Sequence, residues 1–226
     1  MATTSTETPV FELNYSKVET SFLTDTYLFK YLTFSDLFYD LISRLFALIL
    51  LTLLSPIFLV VSLLIKVYMP GKIFYLQTRV GKNGKNFSIY KFRTMVSNAE
   101  ALTGPVLATK NDPRITKLGK FLRASHIDEF PQLFNVILGE MAFVGPRPER
   151  PEFVNVFDTQ IPKYMRRKEV KPGITGLAQI CLPYDATADQ KIIYDVFYID
   201  HKDSIVFNLL ICWFTFLKMV YFKKFV

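Results

Sequence analysis

Asp128 and Glu129 are adjacent carboxylates standing just before an apolar run, Phe130 to Leu138. Two carboxylates this close repel each other unless a cation sits between them, and a hard divalent ion serves that purpose well. Further along, Arg147 is locked between Pro146 and Pro148, and a guanidinium suits phosphate because its N–H groups can donate in pairs. Ser125 precedes Asp128 by the spacing of a capping box, and Pro131 suits a first helical turn, so the sequence predicts a helix opening at the pair. The N-terminus of such a helix carries partial positive charge and free N–H groups that attract anions. Together these parts point to chemistry on a phosphate with Mg²⁺. Taken alone, the acidic pair is better explained as a complement to the helix dipole, since acidic first turns are common.

The elements that must position these groups can be read on either side. Ile73–Gln77 and Phe87–Arg93 read as two strands joined by the glycine-containing basic turn Val80–Lys85. On the second strand Lys91 and Arg93 are two apart and share a face. As a local signal this is better read as a solvated face than as a ligand site. Val96–Ala101 reads as helical and Thr103–Pro113 as loop. Arg114–Ala124 reads as a helix carrying Arg114, Lys117, Lys120 and Arg123 in a positive stripe, which suits lipid phosphates, a bound nucleotide or plain solvent. Pro148–Arg167 holds another helix, Lys171–Gly176 is a glycine-proline loop, and Lys191–Asp200 is amphipathic. Ile205–Leu217 is uncharged, too short to span a bilayer, and fits either the bilayer surface or a buried terminal helix.

Leu45–Ile65 is 21 residues without a charge, between Arg44 and Lys66. That length can cross a bilayer as one helix. Pro56, in the middle, removes a backbone hydrogen bond and kinks or breaks a helix, and Ser55 can cap a group so freed. Residues 1–44 hold 3 Lys/Arg and 6 Asp/Glu, against 24 and 14 in residues 66–226. The excess of basic residues assigns the C-terminal part to the cytoplasm, and charge alone favours a straight spanning helix with the N-terminus outside.

The totals narrow the classes. The chain has 226 residues, a net charge of +7, 50% hydrophobic residues, 22 Phe and 12 Tyr, with a mean hydropathy of +0.24. One domain with appendages fits this length, and the aromatic content suits a membrane interface as well as a core. A basic balance attracts nucleic acid, anionic lipid and anionic small substrates alike, but no nucleic-acid motif accompanies it. Cys181 and Cys212 lack metal-type spacing and read as reduced buried thiols; with His126 and His201 they form no ligand cluster, which excludes a nitrogen–sulfur metal site. Residues 1–9 are polar and threonine-rich, without the pattern of a signal peptide, and the sequon Asn14–Ser16 matters only in a secretory context.

From about Leu45 onward the chain resembles the bacterial sugar transferase family, the monotopic phosphoglycosyl transferases that begin glycan assembly on polyprenyl phosphate. The resemblance is carried by an ordered set: the apolar segment with Ser55-Pro56, Phe74–Gly81, Tyr90–Met95, Asp112–Thr116, Asp128-Glu129, Gly145–Glu149 and Pro172–Gly176. Each is weak alone; together, at these spacings, they are specific. The resemblance implies an α+β fold: a mostly helical domain with a small β-hairpin and a re-entrant helix-break-helix at Ser55-Pro56. That overrides the spanning helix and keeps both ends in the cytoplasm. It divides the chain into an extension (1–40), a membrane hairpin (41–68) and a catalytic domain (69–226).

The resemblance makes Asp128 the nucleophile and Glu129 a holder of Mg²⁺ beside it, with phosphate bound by Arg147, Lys91, Arg93 and Arg114. It implies a UDP-sugar and polyprenyl phosphate as substrates, a monotopic place on the cytoplasmic membrane, and no nucleic acid; a homodimer stays open. Three departures stand out. Asp40 and Arg44 replace the family's basic-then-Asp opening in reversed order, Leu177 stands where Trp is usual, and Cys181–Tyr184 replaces a polar turn, which leaves the sugar open. Two other readings remain: a scaffold of the same fold without catalysis, and a membrane-bound nucleic-acid binder motivated by charge alone.

Overall fold

A 33-residue helix, α1 (Asp36–Tyr68), organises the structure. At 1.5 Å per residue it is about 50 Å long. The computed structural model describes residues 36–97, 99, 112–183 and 185–221; the expectations for residues 1–35, and most of those for Val96–Pro113, lie outside them. The expected interruption at Ser55-Pro56 is not a gap in the helix, which continues through Pro56. The physical reason is local repair. Pro56 has no N–H to give Thr52 O, and the Ser55 hydroxyl donates to that same carbonyl at 2.7 Å.

Both halves of α1 pack on the same domain. Ala47, before the proline, is buried among Phe87, Ile89, Leu133, Val136 and Met141. Val61 and Ile65, after it, are buried among Phe92 and Leu122. The ends are tied down as well: Asp40 pairs with Lys171, and Arg93 donates to Met69 O. The opposite stripe, including Leu45, Leu48, Ile49, Leu53, Leu59, Val60 and Leu63, stays exposed. By length and composition Leu37–Tyr68 can cross a membrane.

The hairpin appears as expected, with a longer first strand and a second shifted by one residue: β1 (Phe74–Val80) pairs antiparallel with β2 (Asn86–Phe92), Tyr75 opposite Lys91. The helix expected over Arg114–Ala124 is α2 (Lys117–Ala124). It starts later because the Thr116 hydroxyl caps it, accepting from Gly119 N–H at 2.9 Å. Ser125 corrects the capping-box reading: it closes α2 instead of opening the next helix, and its hydroxyl donates to Phe121 O and Leu122 O. His126 then adopts φ 57°, and a 3₁₀ turn, Ile127–Glu129, carries the acidic pair before α3 (Gln132–Leu138) begins with Pro131 as its cap.

A second small sheet was not anticipated. β3 (Ala142–Val144) runs parallel to β4 (Gly173–Thr175), which lies inside the stretch read as a loop. The helix expected within Pro148–Arg167 is α4 (Pro151–Gln160), followed by a 3₁₀ turn, Tyr164–Glu169. The chain ends in α5 (Leu177–Cys181), α6 (Ala188–His201) and α7 (Ile205–Tyr221). Helix α7 has two apolar faces: Phe207 and Ile211 are buried with Tyr198 and Ile199, while Leu209, Trp213, Phe214 and Phe216 are exposed.

Candidate active site

Three elements converge on the acidic pair. Strand β2 brings Lys91, the 3₁₀ turn brings Asp128 and Glu129, and the loop after β3 brings Arg147. Asn135 on α3 registers the first two. Its side-chain oxygen accepts from Tyr90 N–H at 3.0 Å, and its amide donates at 2.7 Å to both Ser88 O and the Glu140 carboxylate. This residue is fully buried, so the strand carrying Lys91 cannot slide along the helix that follows the pair.

The two carboxylates receive opposite treatment. Glu129 Oε1 accepts from Lys91 Nζ at 2.7 Å and Arg147 Nη2 at 2.6 Å, while its Oε2 has a longer contact to Arg147 at 3.4 Å. Burial pushes the Glu129 carboxyl up, but Arg147 and then Lys91 outweigh it and hold the acid well below the usual carboxylate range. Burial in turn pushes Lys91 down, against the pull of Glu129. Asp128 is more buried than its neighbour, and among the described residues no hydrogen bond or ion pair reaches it. Burial, and secondarily the Glu129 charge, pushes its carboxyl up to about 6, while Lys91, Arg123 and Arg147 pull the other way. At neutral pH Asp128 is therefore a mostly ionised carboxylate with its oxygens uncommitted, surrounded by cations that do not touch it. Such a group can act as a nucleophile toward a phosphorus atom.

The other predicted residues go elsewhere. Arg93 lies just past β2, its N–H still donating to Ile73 O at 2.9 Å. Its guanidinium turns to Met69 O and to Ser97 Oγ at 2.9 Å. Arg114 precedes α2 and pairs with Asp112 at 2.5 Å. Arg123 was visible only as part of a positive stripe; its Nε donates to Thr94 Oγ1 at 2.9 Å, and its charge acts on Asp128. Arg147 keeps 37% of its side chain exposed, so it can reach a soluble anion.

Mg²⁺ binds through one or two carboxylates plus substrate phosphates and needs no protein cage. Among the described residues no group of three or more acidic, histidine or cysteine side chains is placed to hold a metal. Asp128 and Glu129 Oε2 fit the smaller demand, because a cation shared with substrate phosphates would relieve their mutual repulsion.

A family model for bacterial sugar transferases matches residues 34–222. The chain is 48% identical over 156 residues to the UDP-N-acetylgalactosamine-undecaprenyl-phosphate N-acetylgalactosaminephosphotransferase of Aeromonas hydrophila, covering 68% of this chain and 37% of that protein. It is 42% identical over 158 residues to the UDP-glucose:undecaprenyl-phosphate glucose-1-phosphate transferase of Klebsiella pneumoniae, covering 67% of this chain and 33% of that one. An exopolysaccharide production protein of Rhizobium leguminosarum bv. phaseoli is 40% identical over 179 residues, 76% of this chain and 88% of its own length. The chain thus spans about a third of the first two relatives and most of the third. With a family match covering most of its length, the chain belongs to the bacterial sugar transferase family.

Proposed function

We propose that the chain transfers a sugar-1-phosphate from a UDP-sugar to polyprenyl phosphate, the latter being undecaprenyl phosphate in the names of the relatives. The observation that carries this reading is the contrast at the acidic pair: Glu129 is held by two cations, and Asp128 beside it has no partner among the described residues. An Asp128 oxygen attacks the phosphorus that bears the sugar. The bond between that phosphorus and the bridging oxygen breaks, and UMP leaves with that oxygen and the electron pair. The product is an acyl phosphate joining Asp128 to the sugar phosphate, which divides one hard transfer into two easier ones. A phosphate oxygen of polyprenyl phosphate then attacks the same phosphorus, and the Asp128 carboxylate leaves. No proton has to move in either step.

Arg147 and Lys91 hold the negative oxygens of the transferring group, and Arg123 adds positive potential from α2. Mg²⁺, held by Glu129 and Asp128 with substrate phosphates, would supply further charge neutralisation there. Arg93 and Arg114 serve the site by fixing its frame.

The packing of α1 supports the membrane part of this reading. Both of its halves pack on one domain, Asp40 near its start pairs with Lys171, and Met69 just past its end is held by Arg93. A helix held by one domain on both sides of Pro56 supports a re-entrant anchor with both ends on the cytoplasmic side. The exposed stripe of α1 and the aromatic face of α7 would then meet lipid. This places the site where a soluble donor and a lipid acceptor can meet.

The test uses purified protein and UDP-glucose or UDP-N-acetylgalactosamine. Donor alone should release UMP and add one phosphosugar to the intact mass of the wild type, and none to Asp128→Asn. An adduct that persists in Asp128→Asn would remove Asp128 from the role. Absence of UMP release with a broad donor panel would favour the non-catalytic scaffold, which relatives named for phosphotransfer do not favour.

A further inference from the structure

The turn that presents Arg147 is held by its carbonyls. Arg147 is flanked by prolines, so the residues on either side have no N–H to donate. Instead, four consecutive carbonyls each accept from a distant part of the chain. Gly173 N–H donates to Pro146 O at 3.0 Å, and Val80 N–H donates to Glu149 O at 3.0 Å. Between them, Arg167 Nη2 donates to Arg147 O at 2.6 Å, and Arg79 Nη1 donates to Pro148 O at 3.0 Å. The outer two bonds come from backbone and follow from the fold. The inner two come from side chains, which other contacts must hold in place.

Arg167 is the better anchored of the two. Its Nε lies 2.9 Å from the carboxylate of Asp195 on α6, and both side chains are largely buried. Its Nη1 donates to Tyr164 Oη at 2.5 Å, and its guanidinium lies 4.9 Å from the centre of the Tyr164 ring. Burial works against the Arg167 charge, and Asp195, Tyr164 and Glu149 together more than offset it. A buried ion pair is poor value for stability alone, since apolar residues of the same volume often serve as well. What this pair provides, and an apolar pair would not, is a fixed charged donor on the main chain of the residue that contacts phosphate.

We propose that Arg167, held by Asp195 and Tyr164, is a positioning residue for the transfer, fixing the main chain of Arg147 so that its guanidinium meets Glu129 and the transferring phosphate. This rests on the reading of Arg147 as a phosphate contact. Arg167 touches neither substrate nor Asp128; it acts through Arg147.

A double-mutant cycle on the single-turnover rate of adduct formation tests it. Arg167→Lys keeps a positive charge for Asp195 but loses the fork that reaches Arg147 O. The rate should fall about tenfold, within the range of a small misplacement of a transition-state contact. In an Arg147→Ala background the same change should cost less than about twofold, because the group it positions is gone. Tyr164→Phe removes only the hydroxyl partner of Arg167 and should follow the same pattern with a smaller loss; it carries the test if Arg167→Lys does not fold, as judged by thermal unfolding. Equal losses in both backgrounds mean a general structural role and overturn the proposal. If Arg147→Ala alone costs nothing, the failure lies in the phosphate role of Arg147, and the proposal falls with it.

Discussion

Asp128 should weaken the fold at neutral pH, and its replacement by Asn should strengthen it while removing the chemistry. The carboxyl is pushed from 3.8 to about 6 by burial and by the Glu129 charge. A shift of that size costs on the order of 3 kcal/mol at neutral pH, since the folded state resists the ionisation that the unfolded chain allows. The sign follows from the direction of the shift. With the folded value above the unfolded one, the stability associated with the protonated group is fully present below about 4, shrinks as pH rises from there, and is lost above about 6. Asn carries no charge at any of these values and resembles the protonated acid in shape.

Asp128→Asn should therefore raise the melting temperature at pH 7.5 by several degrees, taking about 2–4 °C per kcal/mol for a domain of this size. The difference should narrow as pH falls through 6 and nearly vanish at 4. The assay is thermal unfolding of both proteins in the same detergent across that range, paired with intact-mass detection of the adduct. A variant no more stable than the wild type at pH 7.5 would refute the argument. So would a gain that is the same at pH 4 as at pH 7.5, because the effect would then not come from ionisation. A group that costs stability in the form the chemistry needs fits a catalytic role better than a structural one.

Two further outcomes follow. Adduct formation from donor alone should fall about tenfold between pH 7 and pH 5, since a carboxyl with its midpoint at about 6 is mostly protonated at the lower value; a rate unchanged down to pH 5 would show that Asp128 titrates normally or does not attack. Replacing Ser55 and Pro56 with Leu should let α1 cross the bilayer and move the N-terminus outward. A cysteine near Thr8, in a background without Cys181 and Cys212, should then react with an impermeant thiol reagent in intact cells only in the double mutant, and labelling of the parent would mean that α1 already spans.

The legibility of the site divided along the range of its contacts. Asp128, Glu129 and Arg147 were singled out because their short motifs, each weak alone, stand in an ordered set at specific spacings. Ser125 was assigned to the wrong helix because its spacing to Asp128 is compatible with opening one helix or closing another. The structure chose the latter, with the hydroxyl bonded back to α2. Arg93 was placed beside Lys91 by the period of a strand, but its guanidinium is taken up by Met69 O and Ser97 Oγ. Gly71 leaves room for the Arg93 guanidinium: a side chain there would approach Arg93 Nη1 to 2.7 Å. Asn135, Arg123, Arg167 and Asp195 act across long sequence separations, and no local pattern announces which donor will meet which carbonyl. Strands β3 and β4, at three residues each, are too short for alternation to register. The same limit applied to α1: composition gave its length and apolar character, but only the packing shows that one stripe on both sides of Pro56 belongs to the core of the domain.

That packing makes the anchor part of the core. Ala47 and its neighbours cover Leu133 and Val136, on the helix that follows Asp128, and Met141 just past it. Val61 and Ile65 cover Phe92 and Leu122, at the end of the strand carrying Lys91 and on the helix carrying Arg123. Deleting residues 36–68 would uncover these five apolar side chains at once. At about 1.5–3 kcal/mol for each large apolar side chain returned to water, the loss is comparable to the 5–15 kcal/mol that typically holds a domain folded. The fragment 69–226 should therefore fail to fold cooperatively even where no membrane is needed for solubility. Circular dichroism melting and donor-dependent adduct formation on the fragment are the measurements. A soluble fragment that melts cooperatively and forms the adduct would show that α1 only tethers the domain. The expected failure would mean that the segment exposing an apolar stripe on one face supports the candidate site through the other, so that any membrane contact of α1 would be coupled to the fold itself.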